Sequence, residues 1–316
     1  MPKLNSEDQI KVSKSTLAGI LKNYRLDLLD YKIAKGGIEN TTAIVKTSLG
    51  KFALRVYRKN KKPISHIKQE LEFMEFLRNK KLPVPKLVQN AEKSFVTPYK
   101  LGKNSWNSVL MELMPGQHPK KYPDILLKNL AASQASMHKF GVLFSKNHSH
   151  IPTTPGTVSD KDFLPKIDKA RITEHLVNEA LLRAEKFRLK FHPRLPKGFN
   201  HLDYDHANIL AQGNKLTAIL DFDDLSYSPL VYCLGNTLWD ILLVTKDSQK
   251  VLSYLNYYEQ VRPLKPLETK FLKSVLLFRN FQILALEIMF WGQNGNYVKS
   301  LLKFEKVIEE ITFNKG

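Results

Sequence analysis

Residues 201–208 read HLDYDHAN, and residues 221–224 read DFDD. Each acidic cluster adjoins a short apolar run, NIL in the first case and TAIL in the second, of the kind that forms a buried strand. A carboxylate near a buried strand is costly unless cations or hydrogen-bond donors neutralise it. The two clusters are therefore the first candidates for a site that binds metal or moves protons.

Hydrolysis at a metal centre is one chemistry for the first cluster, because His-x-Asp-x-Asp-His is similar to the ligand cluster of metallo-β-lactamases. Such a centre needs further ligands, typically histidines, from later in the chain. The last of the nine histidines is His206, within the cluster itself. The sequence therefore argues against a two-metal hydrolase.

Phosphoryl transfer is the second chemistry. It needs a carboxylate that accepts the hydroxyl proton, together with an amide and a carboxylate that hold magnesium on the phosphates. Asp203, Asn208 and Asp221 supply this set in the pattern Asp-x-x-x-x-Asn followed by Asp-Phe. The pattern resembles the catalytic and magnesium loops of protein kinases, and it predicts a kinase.

The surrounding sequence is closer still to the aminoglycoside phosphotransferase and choline kinase family, whose loops read His-Gly-Asp-x-x-x-x-Asn and then (Ile/Leu)-Asp-Phe-(Asp/Glu). The stretches FNHLDYDHANIL at 199–210 and AILDFDDLSYSPLVY at 218–232 match these loops in order, spacing and apolar flanks. The resemblance covers about residues 30–240. It implies a two-lobed, protein-kinase-like fold of the α+β class.

The same resemblance implies that the two lobes have different roles. A small β-rich N-lobe over residues 1–113 would bind the nucleotide, and a larger, mainly helical C-lobe over residues 114–316 would carry the catalytic loop, the metal loop and the acceptor site. ATP and Mg²⁺ are the implied cofactors, and the hydroxyl of a small molecule is the acceptor. Asp203 would orient and deprotonate that hydroxyl, while Asn208 and Asp221 would hold the magnesium ion.

The N-lobe sequence supports the resemblance independently. In KFALRVY, at 51–57, Ala53 and Arg55 share one face of a predicted strand, where a kinase-like fold has a small residue over adenine and a cation on the phosphates. Glu70 lies on the apolar stripe of the helix predicted over 65–81, so it needs a partner, and Arg55 is the natural one. Ordinary surface salt bridges are the alternative for both residues.

Two further stretches match the family. KGGIENTTAIV, at 35–45, is similar to its nucleotide loop, although a plain hairpin is the alternative. The loop residues that would lie close to the phosphates are Gly37, Asn40 and Thr41. LMELMPG, at 110–116, resembles the linker between the lobes, where the backbone from Glu112 to Met114 would hydrogen-bond the adenine edge.

The chain departs from the family at three places. Leu202 replaces the glycine that usually follows the histidine, and Asp205-His206 replaces a common His-Pro pair. Cys233 stands where relatives often carry an aspartate that braces the catalytic loop. Since the three catalytic residues are retained, the sequence still predicts an active kinase.

The composition argues against several other classes. The one cysteine cannot form an internal disulfide, the most apolar stretch at 275–291 is interrupted by polar residues, and the N-terminus lacks the apolar block of a signal peptide. We therefore expect a cytoplasmic protein with no membrane partner. The formal net charge of +19 is spread in small groups, which favours a solvated surface over a nucleic-acid interface.

Local acidity indicates the class of acceptor. GGIENTT, at 36–42, is similar to the corresponding loop of type II homoserine kinases, which belong to the same family. The acids expected on the acceptor side are Asp203, Asp205, Asp223, Asp224 and Glu287. In a basic protein they favour an acceptor with an ammonium group, such as homoserine or an amino alcohol, with an aminoglycoside as second candidate. A kinase-like scaffold that only binds RNA or a protein partner is the alternative from another class.

Two of these acids have other interpretations. Asp223 would be either a second metal contact or an acid that braces its own loop. Glu287, on the otherwise apolar helix FQILALEIMFW, would be a buried acid paired with Arg279 or with a backbone group.

Overall fold

The computed structural model describes residues 12–34, 40–57, 62–101, 104–148, 192–288 and 295–313, together with residues 175, 178 and 182. The chain divides into two units. The N-terminal unit comprises Leu4–Gly116 and Thr217–Asp223, and the C-terminal unit comprises Met1–Lys3, Gln117–Leu216 and Asp224–Gly316.

An antiparallel sheet is the main feature of the N-terminal unit. Its strands among the described residues are β1 (Leu28–Ile33), β2 (Thr41–Thr47), β3 (Gly50–Val56), β4 (Leu87–Val88), β5 (Thr97–Leu101) and β6 (Asn104–Glu112). Their order is β1-β2-β3-β6-β4, and β5 also pairs with β6. Residues of β2 alternate between the two faces of the sheet, so that Ala43 and Val45 enter the core. Gly50, with φ +119°, makes the turn between β2 and β3.

Two helices accompany the sheet in the described part of the N-terminal unit. Helix α1 (Lys14–Lys22) begins after Ser13, whose side chain accepts a hydrogen bond from the N–H of Thr16. Helix α2 (Ile64–Asn79) confirms the helix predicted over 65–81. Its buried residues are Ile67, Glu70, Leu71, Phe73, Met74 and Leu77.

The segment Thr217–Asp223 belongs to the N-terminal unit, although the sequence reading assigned it to the C-lobe. The N–H of Ile219 donates to the carbonyl of Pro83 at 2.7 Å, and the hydroxyl of Thr217 donates to the carbonyl of Pro115 at 2.6 Å. Phe222 is fully buried and packs edge-to-face on Phe73 of α2, with ring centroids 6.2 Å apart. The assignment of nucleotide binding to residues 1–113 and of catalysis to residues 114–316 stays a prediction.

Helices dominate the described part of the C-terminal unit. They are α3 (Asp124–Phe144), α4 (Leu230–Thr245), α5 (Ser248–Val261), α6 (Pro266–Leu286) and α7 (Gly295–Glu310). Helix α3 packs on α5, and α6 packs on both α4 and α7. The buried residues of α4 surround most of its circumference, which makes it the central helix of this unit. No helix in the described ranges is long and apolar enough to span a bilayer.

Four short strands position the two acidic clusters. Strands β7 (Lys197–Asn200) and β10 (Ser226–Pro229) pair antiparallel, and β8 (Ile209–Gln212) pairs with β9 (Lys215–Ile219). Residues 201–208 therefore connect β7 to β8, and residues 220–225 connect β9 to β10. Both clusters lie in loops between strands, where side chains can reach a ligand.

Gly141 fixes the place where β7 meets α3. A Cβ atom on Gly141 would lie 1.8 Å from the carbonyl oxygen of Phe199, which is far inside contact distance. Gly198 makes a similar approach from the strand, since its Cβ would lie 2.9 Å from the backbone nitrogen of Val142. The strand that leads into HLDYDHAN is thus held against the helix by backbone contact.

Replacement of Gly141 by alanine is therefore expected to lower the free energy of unfolding by about 3 kcal/mol, because neither backbone can move away cheaply. Gly213, in the β8–β9 turn, is the control: its φ is +57°, and a Cβ there meets nothing within 4 Å. Gly213→Ala should cost about 1 kcal/mol from backbone strain alone. Urea unfolding of both variants measures the difference, and equal losses would contradict the packing argument.

Candidate active site

Asp203 is held from two sides within the C-terminal unit. The side-chain amide of Asn208 donates to Asp203 Oδ2 at 2.9 Å and to the Asp203 carbonyl at 3.0 Å. The guanidinium of Arg279 donates to Asp203 Oδ1 at 3.0 Å. The Asp203 side chain is still 32% exposed, so it is reachable as well as oriented. The structure thus brings together Asp203 and Asn208, two of the residues that the sequence motif predicted to act in catalysis.

Arg279 as a partner of Asp203 was not predicted. It lies on α6, its side chain is 19% exposed, and its guanidinium is 6.0 Å from the ring centroid of Trp239. Burial by itself would lower the pKa of Arg279, but Asp203 and then Tyr232 and Asp205 outweigh it, so the pKa is raised. Arg279 therefore stays charged beside the carboxylate.

Replacement of Arg279 by methionine is expected to lower kcat about a hundredfold, because Asp203 loses one of its two orienting donors and its nearest cation. Arg279→Lys should recover part of the loss, since an ammonium restores the charge but not the planar donor geometry. Steady-state kinetics measures both variants, with the exposed Lys270→Met on the same helix as control. An unchanged kcat in Arg279→Met would show that the ion pair is not needed for turnover.

Asp205 shapes the loop around the two catalytic candidates. Its Oδ1 accepts hydrogen bonds from the N–H groups of Ala207 at 2.9 Å and Asn208 at 3.1 Å. Burial, with Asp203 and Asp240 adding to it, raises the pKa of Asp205 to about 7, although Arg279 acts in the opposite direction. The role of Asp205 toward a substrate stays a prediction.

Asp240 is a second residue that the sequence did not reveal. It lies on α4 with only 4% of its surface exposed. Its Oδ1 is 2.7 Å from Nδ1 of His206, and its Oδ2 accepts from the His206 N–H at 3.0 Å. The hydrogen bond between the His206 ring and the Asp240 carboxylate is the main cause of the raised pKa of His206. The Asp205-His206 departure from the family thus comes with a buried acid that anchors it.

The other departures also have structural counterparts. Leu202 has φ 61°, the left-handed conformation that favours the glycine of the family loop. Its side chain packs against Tyr232 and Phe278, and its carbonyl accepts a hydrogen bond from Asn236 at 3.0 Å. Cys233 is fully buried, and burial raises the pKa of its thiol to about 12, partly offset by Gln134 and by backbone hydrogen bonds from the Leu202 and His201 region. A neutral thiol therefore contacts the catalytic loop at the position of the family's aspartate.

Arg55 and Glu70 lie together in the N-terminal unit, as the sequence predicted. Arg55 Nη1 is 3.4 Å from Glu70 Oε1, and the hydroxyl of Tyr57 donates to the same oxygen at 3.1 Å. Glu70 is only 1% exposed, and this burial raises its pKa although Lys62 and Arg55 lower it. Glu70 is therefore a buried acid with cationic partners.

Lys62 is the closest of those partners, and the sequence did not indicate this contact. Its Nζ is 2.7 Å from Glu70 Oε2, shorter than the Arg55 contact. In the sequence it belongs to the run KNKK at 59–62, which was interpreted as solvated surface. Burial alone would lower the pKa of Lys62, but the charges of Glu70 and Asp223 raise it overall.

Among the charged side chains around Arg55, Asp221 has the exposed carboxylate. Its side chain is 44% exposed, and Oδ1 is 3.1 Å from Nη2 of Arg55. Its φ is 59°, a left-handed conformation that costs free energy in any residue but glycine. The pKa of Arg55 is raised because Asp221, Tyr57 and Glu70 outweigh the effect of burial. Arg55, the residue predicted to contact the phosphates, is thus paired with Asp221, the residue predicted to bind metal.

Both carboxylate oxygens of Asp223 have partners. Oδ1 accepts from Lys62 Nζ at 2.9 Å, and Oδ2 accepts from the side-chain amide of Asn40 at 2.8 Å. These contacts favour the interpretation of Asp223 as an acid that braces its own loop. Its predicted substrate role remains untested.

The remaining predicted residues are spread over the sheet and α6. Thr41 pairs with Val56, Ala53 pairs with both Ile44 and Met111, and the N–H of Glu112 donates to the carbonyl of Lys86 at 2.8 Å. Glu287 caps the C-terminal end of α6 and is 6% exposed. Gly37 lies outside the described residues. Adenine contacts by Glu112 and Met114, and substrate contacts by Glu287, stay predictions.

Oxygen donors of the kind that magnesium prefers are present in each of the two units. Within the described part of the chain, no three or more His, Cys, Asp or Glu side chains form a group that could hold a metal ion unaided. Magnesium is usually bound by one or two protein oxygens together with phosphates. Asp221 supplies an exposed carboxylate, and the amide nitrogen of Asn208 is directed to Asp203, which leaves the amide oxygen as a ligand.

Comparison with known proteins identifies the class. The Phosphotransferase enzyme family matches residues 30–266, and the chain belongs to this family. A homoserine kinase of Methylobacillus flagellatus is 24% identical over 300 residues, which cover 92% of this chain and 90% of that protein. The chain is therefore a phosphotransferase that acts on the hydroxyl group of a small molecule.

Solved structures agree on the fold. An amicoumacin kinase in complex with AMP-PNP, Ca²⁺ and its antibiotic superposes with a TM-score of 0.72 at 17% identity, covering 90% of each chain. A microcompartment-associated aminopropanol kinase superposes with a TM-score of 0.67 at 17% identity, covering 94% of this chain and 95% of the other. The predicted α+β, protein-kinase-like fold is confirmed, and use of a nucleotide follows from the family.

Proposed function

We propose that this enzyme transfers the γ-phosphoryl group of Mg-ATP to the hydroxyl of a small alcohol that carries an ammonium group, with homoserine as the first candidate. The observation that carries the proposal is the orientation and exposure of the Asp203 carboxylate. Its carboxylate is oriented by Asn208 and Arg279, is 32% exposed, and lies in the family's catalytic loop. An oriented, accessible carboxylate is what a kinase needs to accept the acceptor's proton.

The proposed roles follow from chemistry and position. Asp203 accepts the proton of the acceptor hydroxyl and fixes its direction of attack. Arg55, held near Glu70 and Asp221, provides the cation for the nucleotide phosphates. Asn208 and Asp221 keep the metal-binding roles that the motif implies. Magnesium, when bound, neutralises charge on the phosphates and on the leaving group.

Support for an ammonium-bearing acceptor comes from the charges around Asp203. Asp203 is paired with Arg279 at 3.0 Å, and the charges of Asp205 and Asp224 also raise the pKa of Arg279. Because these acids outnumber the one guanidinium, the local net charge is negative and attracts a cation more readily than an anion. Homoserine ranks first because curated relatives that match most of this chain are homoserine kinases.

A coupled ADP-release screen tests the proposal. The acceptors are homoserine, choline, ethanolamine, methylthioribose, aminoglycosides and, as a test of the charge argument, a neutral diol of similar size. We expect kcat/KM for homoserine to exceed that for the neutral diol by about a hundredfold or more. Turnover with the neutral acceptors alone, methylthioribose or the diol, would overturn the acceptor class. Turnover with none of them, with Mg-ATP present, would overturn the proposed reaction.

A further inference from the structure

Lys62 makes three short contacts that join two parts of the N-terminal unit. Its Nζ donates to Glu70 Oε2 at 2.7 Å, to the carbonyl of Asp223 at 2.7 Å and to Asp223 Oδ1 at 2.9 Å. Glu70 belongs to α2, whereas Asp223 ends the segment that contains Asp221. An ammonium has three N–H donors, so these contacts use its full capacity.

The charges around Lys62 are distributed unequally. Glu70 and Asp223, with side chains 1% and 16% exposed, are both paired with Lys62. Asp221 has a side chain that is 44% exposed and is paired with Arg55 instead. Asp221 is therefore the carboxylate of this cluster that remains accessible to an added cation.

The backbone conformation of Asp221 must be stabilised by neighbouring contacts. A non-glycine residue at φ 59° costs about 1–2 kcal/mol and persists only where neighbouring contacts hold it. Phe222 provides an apolar anchor on Phe73, and Asn40 provides a polar one on Asp223 Oδ2. Lys62 adds the contact to the Asp223 backbone itself, which restricts the peptide chain two residues after Asp221.

We propose that Lys62 is a positioning residue that holds the 221–223 segment on α2, so that Asp221 is presented to the metal of the nucleotide while Asp223 is withheld. This inference rests on the proposed function, because it assigns a role in Mg-ATP binding. Lys62 also has the shorter contact with Glu70, so Arg55 can pair with Asp221 while it keeps a longer contact with Glu70.

A direct contact between Lys62 and a phosphate is the competing explanation, and the two differ in their dependence on metal. A positioning role acts through Asp221, so losing it should weaken Mg-ATP and leave metal-free ATP almost unaffected. A phosphate contact should weaken both forms alike. Asp223→Asn separates the explanations further, because it weakens the loop contact and leaves the lysine charge in place.

Calorimetry on the full-length protein, without acceptor, measures the Kd for ATP with and without Mg²⁺. We expect Lys62→Met and Asp223→Asn each to raise the Kd for Mg-ATP by about tenfold, and to change that for metal-free ATP less than about twofold. Lys62→Arg should recover most of the affinity. Lys68→Met is the matched control: Lys68 is an exposed lysine of α2, the helix that follows Lys62, and this variant should bind like wild type.

Three outcomes would overturn the inference. Wild-type affinity in Lys62→Met would remove any role, and equal losses with and without Mg²⁺ would assign Lys62 to the phosphates. Failure of the wild type to bind Mg-ATP would overturn the proposed function and this inference together. Asp223→Asn, which keeps Lys62 on Glu70, decides the question even if Lys62→Met folds poorly.

Discussion

Asp203→Asn is expected to lower kcat by about a thousandfold while changing the Kd for Mg-ATP less than about twofold. The substitution removes the proton acceptor but keeps the volume of the side chain. Arg279 can still donate to the amide oxygen of the new residue, so the loop should keep its shape. Coupled ADP release gives kcat, and calorimetry gives the nucleotide affinity.

The control for Asp203→Asn is Asp124→Asn, at an exposed aspartate of α3 that pairs with Lys250. It should leave both quantities at the wild-type value. If Asp203→Asn retained wild-type kcat, another group would accept the proton and the central role of Asp203 would be wrong. A large loss of Mg-ATP affinity would instead place Asp203 in nucleotide binding.

Asp221→Ala is expected to raise the Kd for Mg-ATP by about a hundredfold, because the exposed carboxylate of the N-terminal cluster is lost. Asp221→Gly should lose the same affinity. The two variants should differ in stability, however, because glycine adopts φ 59° without strain and alanine does not. We expect Asp221→Gly to be more stable than Asp221→Ala by about 1 kcal/mol.

This pair separates metal binding from backbone strain. Thermal unfolding with and without Mg-ATP gives both measurements on the same samples, since a bound ligand raises the midpoint. A midpoint that rises with Mg-ATP in Asp221→Ala as it does in the wild type would show that Asp221 is not needed for the metal. Equal stability of the two variants would show that the left-handed conformation is not costly here.

Local sequence patterns predicted the residues whose roles are encoded in short motifs. Asp203 and Asn208 are five positions apart in one loop, and their contact follows from that spacing. Arg55 and Glu70 could be paired because a charged residue on an apolar helix face needs a partner. In each case the signal lies within about twenty residues or in one recognisable loop.

Contacts between distant segments could not be predicted in the same way. Asp240 anchors His206 across 34 positions, from a helix whose sequence TLWDILL reads as plain core. Lys62 bonds Asp223 across 161 positions, and its own surroundings are those of a solvated lysine run. The placement of Thr217–Asp223 in the N-terminal unit was equally hidden, because chain order suggested the other lobe. Such pairings depend on the fold itself.

The reactivity of Cys233 can report when the helix that carries it becomes exposed to solvent. It is the one cysteine of the 316 residues, it is fully buried, and burial raises the pKa of its thiol to about 12. The thiolate is the nucleophile that attacks alkylating reagents, so the folded protein, with a buried neutral thiol, should react extremely slowly. Any labelling at neutral pH then measures how often the helix beneath the catalytic loop is exposed to solvent. A ligand that stabilises this region should slow the labelling. The decrease in labelling rate would then report stabilisation of the catalytic loop without an engineered probe.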